Sequence, residues 1–150
     1  MSTPPKASAA RVRAAMLADA AALAPLSGQL GYPSTTEEIA QRLRRILGDA
    51  EHAVFVAEAA GRIAGWVHVF VYRSVEAHAR AEIGGLVVDE AARSQGIGRA
   101  LMAVAESWAR EKGCEAVGLR SNVIREKAHA FYEGLGYRLV KTQKCFRKTL

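Results

Sequence analysis

The sequence is poor in the residues that build metal and redox sites. It has two cysteines, Cys114 and Cys145, and their wide separation fits neither a zinc knuckle nor a CxxC redox pair. Its four histidines are scattered, without HExxH or any other ligand spacing. We therefore expect no metal site, and we expect the reduced thiols of a cytoplasmic protein.

Long apolar runs are also missing. No stretch approaches the roughly 20 apolar residues that span a bilayer, so no membrane partner is expected. Residues 1–10, MSTPPKASAA, lack the apolar core of a secretory signal. The sequence therefore predicts a short disordered N-terminal tail over residues 1–10 and one folded domain over residues 11–150.

The charge is biased towards one sign. A net charge of +6 favours an anionic partner, which leaves nucleic acid, a phosphorylated cofactor or an acidic surface as candidates. The basic residues do not form one tract interleaved with stacking aromatics, as a nucleic-acid-binding surface requires. No nucleic-acid partner is therefore expected.

The first half of the sequence alternates strand and helix patterns. RVRAAM (11–16) predicts a strand, and Asp19 is a plausible N-cap of a helix interrupted near Pro25. A second helix follows, with capping-box spacing at both Ser34/Glu37 and Thr35/Glu38. Two strands then flank a turn at Gly61.

The second half predicts alternating strands and helices. A third strand contains Gly84 and Gly85, which indicate a bulge or a close backbone approach. A helix after Gly98, a strand in EAVGLRSN, a helix closed at Gly136 and one or two C-terminal strands complete the pattern. This order predicts a mixed α/β domain with antiparallel pairing first and parallel pairing later.

Two glycines lie where the third strand gives way to a helix, in LVVDEAARSQGIGRALM (86–102). Backbone amides at a helix N-terminus bind phosphate when glycine lets the anion approach. Arg93 and Arg99 add positive charge beside Gly96 and Gly98. A dinucleotide fingerprint would need a third glycine where Leu101 stands, a P-loop would need GK[ST], and a simple tight turn remains open.

The run LxVxxxxRxxGxG, formed by Leu86, Val88, Arg93, Gly96 and Gly98, resembles the acetyl-CoA signature of the GNAT superfamily of N-acetyltransferases. SNVIREKAHAFYEGLGYR resembles the C-terminal segment of that family. The resemblance implies a GNAT-type fold: a mixed, mostly antiparallel central sheet with a parallel splayed strand pair, flanked by about four helices.

The resemblance also implies acetyl-CoA as cosubstrate, held mainly by backbone groups. The pantetheine arm would lie along Leu86, Val87 and Val88. The pyrophosphate would bind at the start of the helix, and the residues concerned are Arg93, Ser94, Gln95, Gly96, Ile97, Gly98 and Arg99. Asn122 resembles an asparagine that contacts the cofactor. Arg125 and Lys127 either meet the 3′-phosphate or form a solvated basic helix start.

Acetyl transfer to an amine needs a base, an oxyanion donor and an acid for the leaving thiolate. By resemblance Tyr132 is the acid, with a core tyrosine as the alternative. Glu82, eleven residues before Arg93, is the candidate base or else a strand glutamate facing solvent. A backbone N–H near Val88 is the expected oxyanion donor. His129, one turn before Tyr132, either relays a proton or packs and caps.

These features predict an acetyl-CoA-dependent N-acetyltransferase that acetylates a primary amine of a small molecule by direct attack in a ternary complex. The alternatives are a protein lysine or N-terminal acetyltransferase and a non-catalytic acyl-CoA-binding regulatory module. The resemblance further suggests a homodimer.

Overall fold

The structure is a computed structural model that describes residues 10–150. These residues form two compact units, the first ending at Leu119 and the second spanning Arg120–Leu150. Apart from Ala10, the predicted disordered tail lies outside the described residues, and the single domain over 11–150 stays a prediction. Within the described residues, every helix is too short or too polar to cross a lipid bilayer.

A five-stranded sheet forms the centre of the first unit. Neighbouring strands along the chain are also neighbours in the sheet, and all pair antiparallel except the last two, which are parallel. The strands are β1 (Arg11–Ala14), β2 (His52–Ala59), β3 (Arg62–Tyr72), β4 (Arg80–Val88) and β5 (Val117–Leu119). The predicted change from antiparallel to parallel pairing is confirmed.

Residues 10–150 contain four α-helices, as expected. They are α1 (Ala20–Gln29), α2 (Thr36–Leu47), α3 (Ile97–Glu111) and, in the second unit, α4 (Glu126–Gly134). Short 3₁₀ turns at Leu17–Asp19 and Glu90–Ala92 precede α1 and α3.

The predicted interruption of α1 at Pro25 is wrong, because α1 runs through this residue without a break. Proline removes one backbone hydrogen bond, but α1 buries Leu23 and Leu26 against the core on either side of it. Asp19 occupies the N-cap position without capping α1. Its buried carboxylate instead accepts hydrogen bonds from the Met16 amide, at 2.7 Å, and from the Arg13 guanidinium, which holds the pKa of Asp19 below its usual range.

Thr35 decides where α2 begins. Its Oγ1 accepts a hydrogen bond from the Glu38 amide at 3.1 Å, so Thr35/Glu38 is the capping pair that forms. Ile39 and Leu43 then bury one face of α2 against α1 and the sheet.

The two faces of the sheet have different coverings. Leu23 of α1, Leu43 of α2 and Val54 of β2 belong to one buried cluster, with Trp66 of β3 packed against it. On the opposite face α3 approaches so closely that a Cβ at Gly65 would lie 3.2 Å from Leu101 Cδ1. The α1/α2 face is the one that carries the cavity described below.

The predicted C-terminal strands are wrong. After α4, the second unit continues to Leu150 without regular secondary structure. Its larger apolar side chains are exposed, namely Leu139, Val140, Phe146 and Leu150. Strand pairing needs a partner and an apolar face to bury, and these side chains are not buried.

Candidate active site

The parallel strands β4 and β5 share only a short stretch of pairing. β5 pairs with Ala81–Ile83, whereas β4 continues to Val88 along its other neighbour, β3. The Leu86–Val88 backbone therefore has β3 on one edge and extends past the end of β5 on the other. The resemblance to the GNAT superfamily implies that the pantetheine arm lies along this stretch of β4.

The loop between β4 and α3 leaves the first amides of α3 accessible. Gly96 is the N-cap of α3 with a φ of +78°, a left-handed conformation that favours glycine. A Cβ built there meets no atom within 4 Å, so the space around Gly96 is open. The first backbone N–H groups of a helix lack intrahelical partners, which makes this terminus a suitable cradle for a pyrophosphate.

One side chain at the start of α3 is buried in the core, whereas its polar neighbours are exposed to solvent. Ile97 is 2% exposed and anchors the start of α3 in the core. Arg93, Ser94, Gln95 and Arg99 are exposed, and Ser94 also has a positive φ, +67°. The buried anchor fixes the loop while the two arginines stay free to meet an anion.

Gln29, a residue that the sequence reasoning missed, braces the same loop. Its Oε1 accepts a hydrogen bond from the Glu90 amide at 3.0 Å, and its Nε2 donates to Asp89 Oδ1 at 3.3 Å. The Asp89 carboxylate also accepts from the Ala91 amide, which is the first cause of its lowered pKa. No local sequence signal pairs the end of α1 with residues sixty positions later.

The glycine pair of β4 lies at a bulge, as predicted. The register between β3 and β4 shifts between His68 and Val69, so that Gly84 is the extra residue. A Cβ at Gly84 would lie 2.6 Å from His68 Nδ1, and one at Gly85 would lie 2.8 Å from Trp66 Cη2. Both positions therefore need glycine because β3 side chains lie directly against the backbone.

Glu82 is buried, with 8% exposure, and is not the solvent-facing strand residue of the alternative reading. Its Oε1 accepts a hydrogen bond from Arg80 Nε at 2.9 Å, and the Arg80 guanidinium stacks over Tyr72. Glu82 pairs with Phe70 across the antiparallel ladder. Directly opposed residues point to the same face, so Glu82 lies on the face that carries His68.

His52 and His68, which are far apart in the sequence, lie side by side in the structure. His52 Nδ1 and His68 Nε2 are 2.9 Å apart, the His52 ring stacks with Phe70, and the His68 ring lies tilted against Phe70. Burial, followed by the neighbouring His52, lowers the pKa of His68 to about 4. His68 is therefore neutral at pH 7. The register of β2 with β3 creates this pair, which no spacing within the sequence indicates.

The buried His68 should make folding pH-dependent. In the unfolded chain His68 is protonated below its ordinary pKa of 6.5, whereas in the folded chain it stays neutral down to about pH 4. Stability is then complete above pH 6.5 and falls by up to about 3 kcal/mol as the pH drops through that window. The free energy of unfolding is measured in urea at pH 7 and at pH 4.5. Its decrease between the two pH values should be much smaller for His68→Asn than for the unmodified chain. The exposed His78→Asn is the control, and equal losses for all three would contradict the assignment.

A cavity of about 300 Å³ opens beside these residues on the α1/α2 face. Its wall includes His68 and Gly84 of the sheet, Leu23 of α1, Leu43 of α2, and Leu30 immediately after α1. The cavity lies entirely within the first unit.

The remaining predicted residues lie in the second unit. Asn122 Oδ1 accepts from the Ile124 amide at 3.2 Å, and its carbonyl oxygen lies 2.9 Å from His129 Nε2. This contact matches the capping role considered for His129. Tyr132 is half-buried on α4, and burial raises its pKa, so its phenol holds its proton at neutral pH. Arg125 and Lys127 are exposed at the start of α4.

Comparisons with known proteins identify the family. A family model described as "Acetyltransferase (GNAT) family" matches residues 20–137. An aminoglycoside N(6′)-acetyltransferase type 1 of Stenotrophomonas maltophilia is 34% identical over 149 residues, 96% of this chain and 96% of that protein. The chain belongs to the acetyltransferase (GNAT) family. It is an N-acetyltransferase by that membership.

Two further relatives agree with this assignment. An aminoalkylphosphonate N-acetyltransferase of Salmonella typhimurium is 44% identical over 68 residues, 45% of this acetyltransferase and 42% of the relative. The solved structure of a putative acetyltransferase from Agrobacterium tumefaciens superposes with a TM-score of 0.81 at 27% identity, covering 92% of this chain and 99% of that one. The expected GNAT-type fold is confirmed.

Proposed function

We propose that this acetyltransferase moves the acetyl group of acetyl-CoA to the primary amine of a small molecule. The observation that carries the proposal is the open N-terminus of α3, where Gly96 is left-handed beside the exposed Arg93 and Arg99. A short loop, residues 89–96, joins it to a strand, β4, that runs past the end of β5. The relatives named for aminoglycoside and aminoalkylphosphonate acetylation support a small amine as acceptor.

Acetyl-CoA supplies the acetyl group and leaves as the free thiol. The amides from Ser94 to Arg99 bind its pyrophosphate, with Arg93 and Arg99 as countercharges. The backbone of Leu86, Val87 and Val88 binds the pantetheine arm along the edge that β5 leaves uncovered. Asn122 is a further cofactor contact, and a backbone N–H near Val88 stabilises the developing oxyanion.

Two side chains carry the proton transfers. A lysine-like amine with a pKa of about 10.4 costs roughly 4.6 kcal/mol to deprotonate at pH 7. Glu82, buried on the cavity face of β4, takes this proton directly or through water. Tyr132 gives its phenolic proton to the departing sulfur, and its raised pKa keeps that proton in place until then. The amine then holds the acetyl group as an amide.

The proposal is tested by following CoA release with a thiol reagent while a panel of primary amines is supplied at saturating acetyl-CoA. We expect release that depends on the amine, and an acetylated amine detected by mass spectrometry. Direct attack further predicts no burst of CoA without an amine. Release from none of the amines, with acetyl-CoA still bound, would favour a non-catalytic acyl-CoA-binding module. Acetylation confined to peptide lysines or N-termini would favour a protein acetyltransferase.

The setting of the reaction is part of the same proposal. We place it in the cytoplasm, in one domain over residues 11–150, without a metal, nucleic-acid or membrane partner. Cys114 and Cys145 are free thiols, which is compatible with a reducing compartment. The exposed apolar side chains after α4, such as Val140 and Phe146, support a homodimer, which light scattering at working concentration measures directly.

A further inference from the structure

The cavity on the α1/α2 face has an apolar wall. Its lining includes Leu23, Leu30, Ile39, Leu43 and Trp66, and its volume is about 300 Å³. Liquid water occupies about 30 Å³ per molecule, so the space suits a group of roughly ten non-hydrogen atoms. Transfer of such a group from water gains about 25 cal/mol for each Å² of apolar surface buried.

The charges around the cavity argue against a polycation. None of the described residues that line the cavity carries a carboxylate, and the one charged residue there is the cation Arg42. Its guanidinium donates to Ser34 Oγ at 2.8 Å and to Glu38 Oε2 at 3.1 Å, so the nearby Glu38 is already paired. Several ammonium groups would meet an apolar wall and a like charge, and buried charge without a partner is strongly unfavourable.

His68 provides an uncharged polar position in the wall, beside Gly84. Its Nε2 is engaged with His52, whereas Nδ1 lies over Gly84 and has no hydrogen-bond partner among the described residues. A neutral imidazole accepts a hydrogen bond from an amine without repelling its charge. Gly84 lies two residues after Glu82 and two before Leu86, so this position adjoins both the proposed base and the proposed pantetheine edge.

We propose that the cavity receives the apolar body of the acceptor, with the amine nitrogen at His68 beside Gly84. The acceptor is then a primary amine on one alkyl or aryl group, with a single positive charge, and not a polycationic aminosugar. This inference rests on the proposed function for the chemistry but names a substrate class different from that of the aminoglycoside-acetylating relatives.

Trp66 reports cavity occupancy without any need for turnover. The chain has two tryptophans, so Trp108→Phe leaves Trp66 as the only indole. Titration of this variant with 2-phenylethylamine should give a saturable change in Trp66 fluorescence. Kanamycin and spermidine should give none at a tenfold higher concentration. A saturable change with either polycation and not with 2-phenylethylamine would overturn the inference, and so would no change with any of the three.

A charged residue introduced into the cavity wall is a second test of whether the amine binds in this cavity. Leu30 lines the cavity and is half-buried, whereas Leu47 on α2 is exposed and does not line it. Leu30→Glu should weaken 2-phenylethylamine binding at least about tenfold, as expected for unpaired charge against an apolar ligand. Leu47→Glu should leave binding unchanged. Equal effects of the two variants would contradict the assignment of the cavity.

The CoA-release assay separates the two proposals. Fluorescence binding of 2-phenylethylamine, with no CoA release from any amine of the panel, would contradict the proposed function and leave the cavity assignment intact. CoA release with kanamycin but not with 2-phenylethylamine would contradict the cavity assignment and leave the proposed function intact.

Discussion

Tyr132→Phe should lower kcat by about 10²–10⁴-fold, the usual contribution of a positioned general acid. The substitution removes only the phenolic oxygen and leaves the ring contacts of Tyr132 with Phe131 and Tyr137 in place. Without that proton the sulfur must depart as a thiolate. The affinity for acetyl-CoA should change little, because the pyrophosphate and pantetheine contacts proposed above do not involve this hydroxyl. Stopped-flow turnover at saturating substrates, together with calorimetric binding, measures both quantities.

The pH profile and a matched variant test the acid role of Tyr132 further. Burial raises the pKa of Tyr132 above its ordinary value of about 10, so kcat should show no alkaline decline until the pH exceeds 10. Tyr137→Phe removes a hydroxyl from the neighbouring ring and is the matched control, with kcat expected to stay close to that of the unmodified chain. Unchanged turnover of Tyr132→Phe at saturating substrates would remove Tyr132 from the acid role.

Gly96→Val should weaken acetyl-CoA binding by about 100-fold or more. A β-branched residue is a genuine outlier at the φ of +78° found here, so the backbone must leave the left-handed region. The amides at the start of α3 then turn away from the pyrophosphate, and a set of charge-assisted hydrogen bonds is lost. Since a Cβ at Gly96 meets no atom within 4 Å, we attribute the expected loss to the backbone conformation and not to contact of the Cβ with its surroundings.

Two variants control for this prediction. Gly61, in the β2–β3 turn, also has a positive φ, +77°, and open space around its Cβ position. Gly61→Val should reduce stability but leave acetyl-CoA affinity unchanged. Gly96→Asn, which tolerates the left-handed region, should retain most of the affinity. If Gly96→Val bound acetyl-CoA normally, or if both valine variants lost the same affinity, the cradle at α3 would be contradicted.

Features encoded in a few adjacent residues were predictable from the sequence. The bulge follows from Gly84 and Gly85, and the open helix start follows from the glycines around Ile97. The beginning of α2 required a choice between two capping pairs of equal spacing. Only the structure shows that Thr35 forms the hydrogen bond. Local chemistry therefore predicted the bulge and the helix start that form the proposed cofactor cradle.

Features that depend on distant pairing were not predictable. His52 and His68 meet because β2 and β3 pair in one particular register, and Gln29 reaches the β4–α3 loop across the fold. Asp19 is a residue type that commonly caps helices, but its carboxylate instead accepts a hydrogen bond from Arg13. The segment after Gly136 was predicted to form one or two strands, and it forms none. Cavity shape and charge, on which the proposed acceptor class rests, arise from such non-local contacts.

The most direct test of the account is a calorimetric titration of the unmodified chain with acetyl-CoA, with NADPH and a short DNA duplex as controls. The account predicts one-site binding of acetyl-CoA, with a dissociation constant in the micromolar range, and no binding of either control. Absence of acetyl-CoA binding, or equal binding of NADPH, would contradict the cradle formed by Gly96, Arg93 and Arg99.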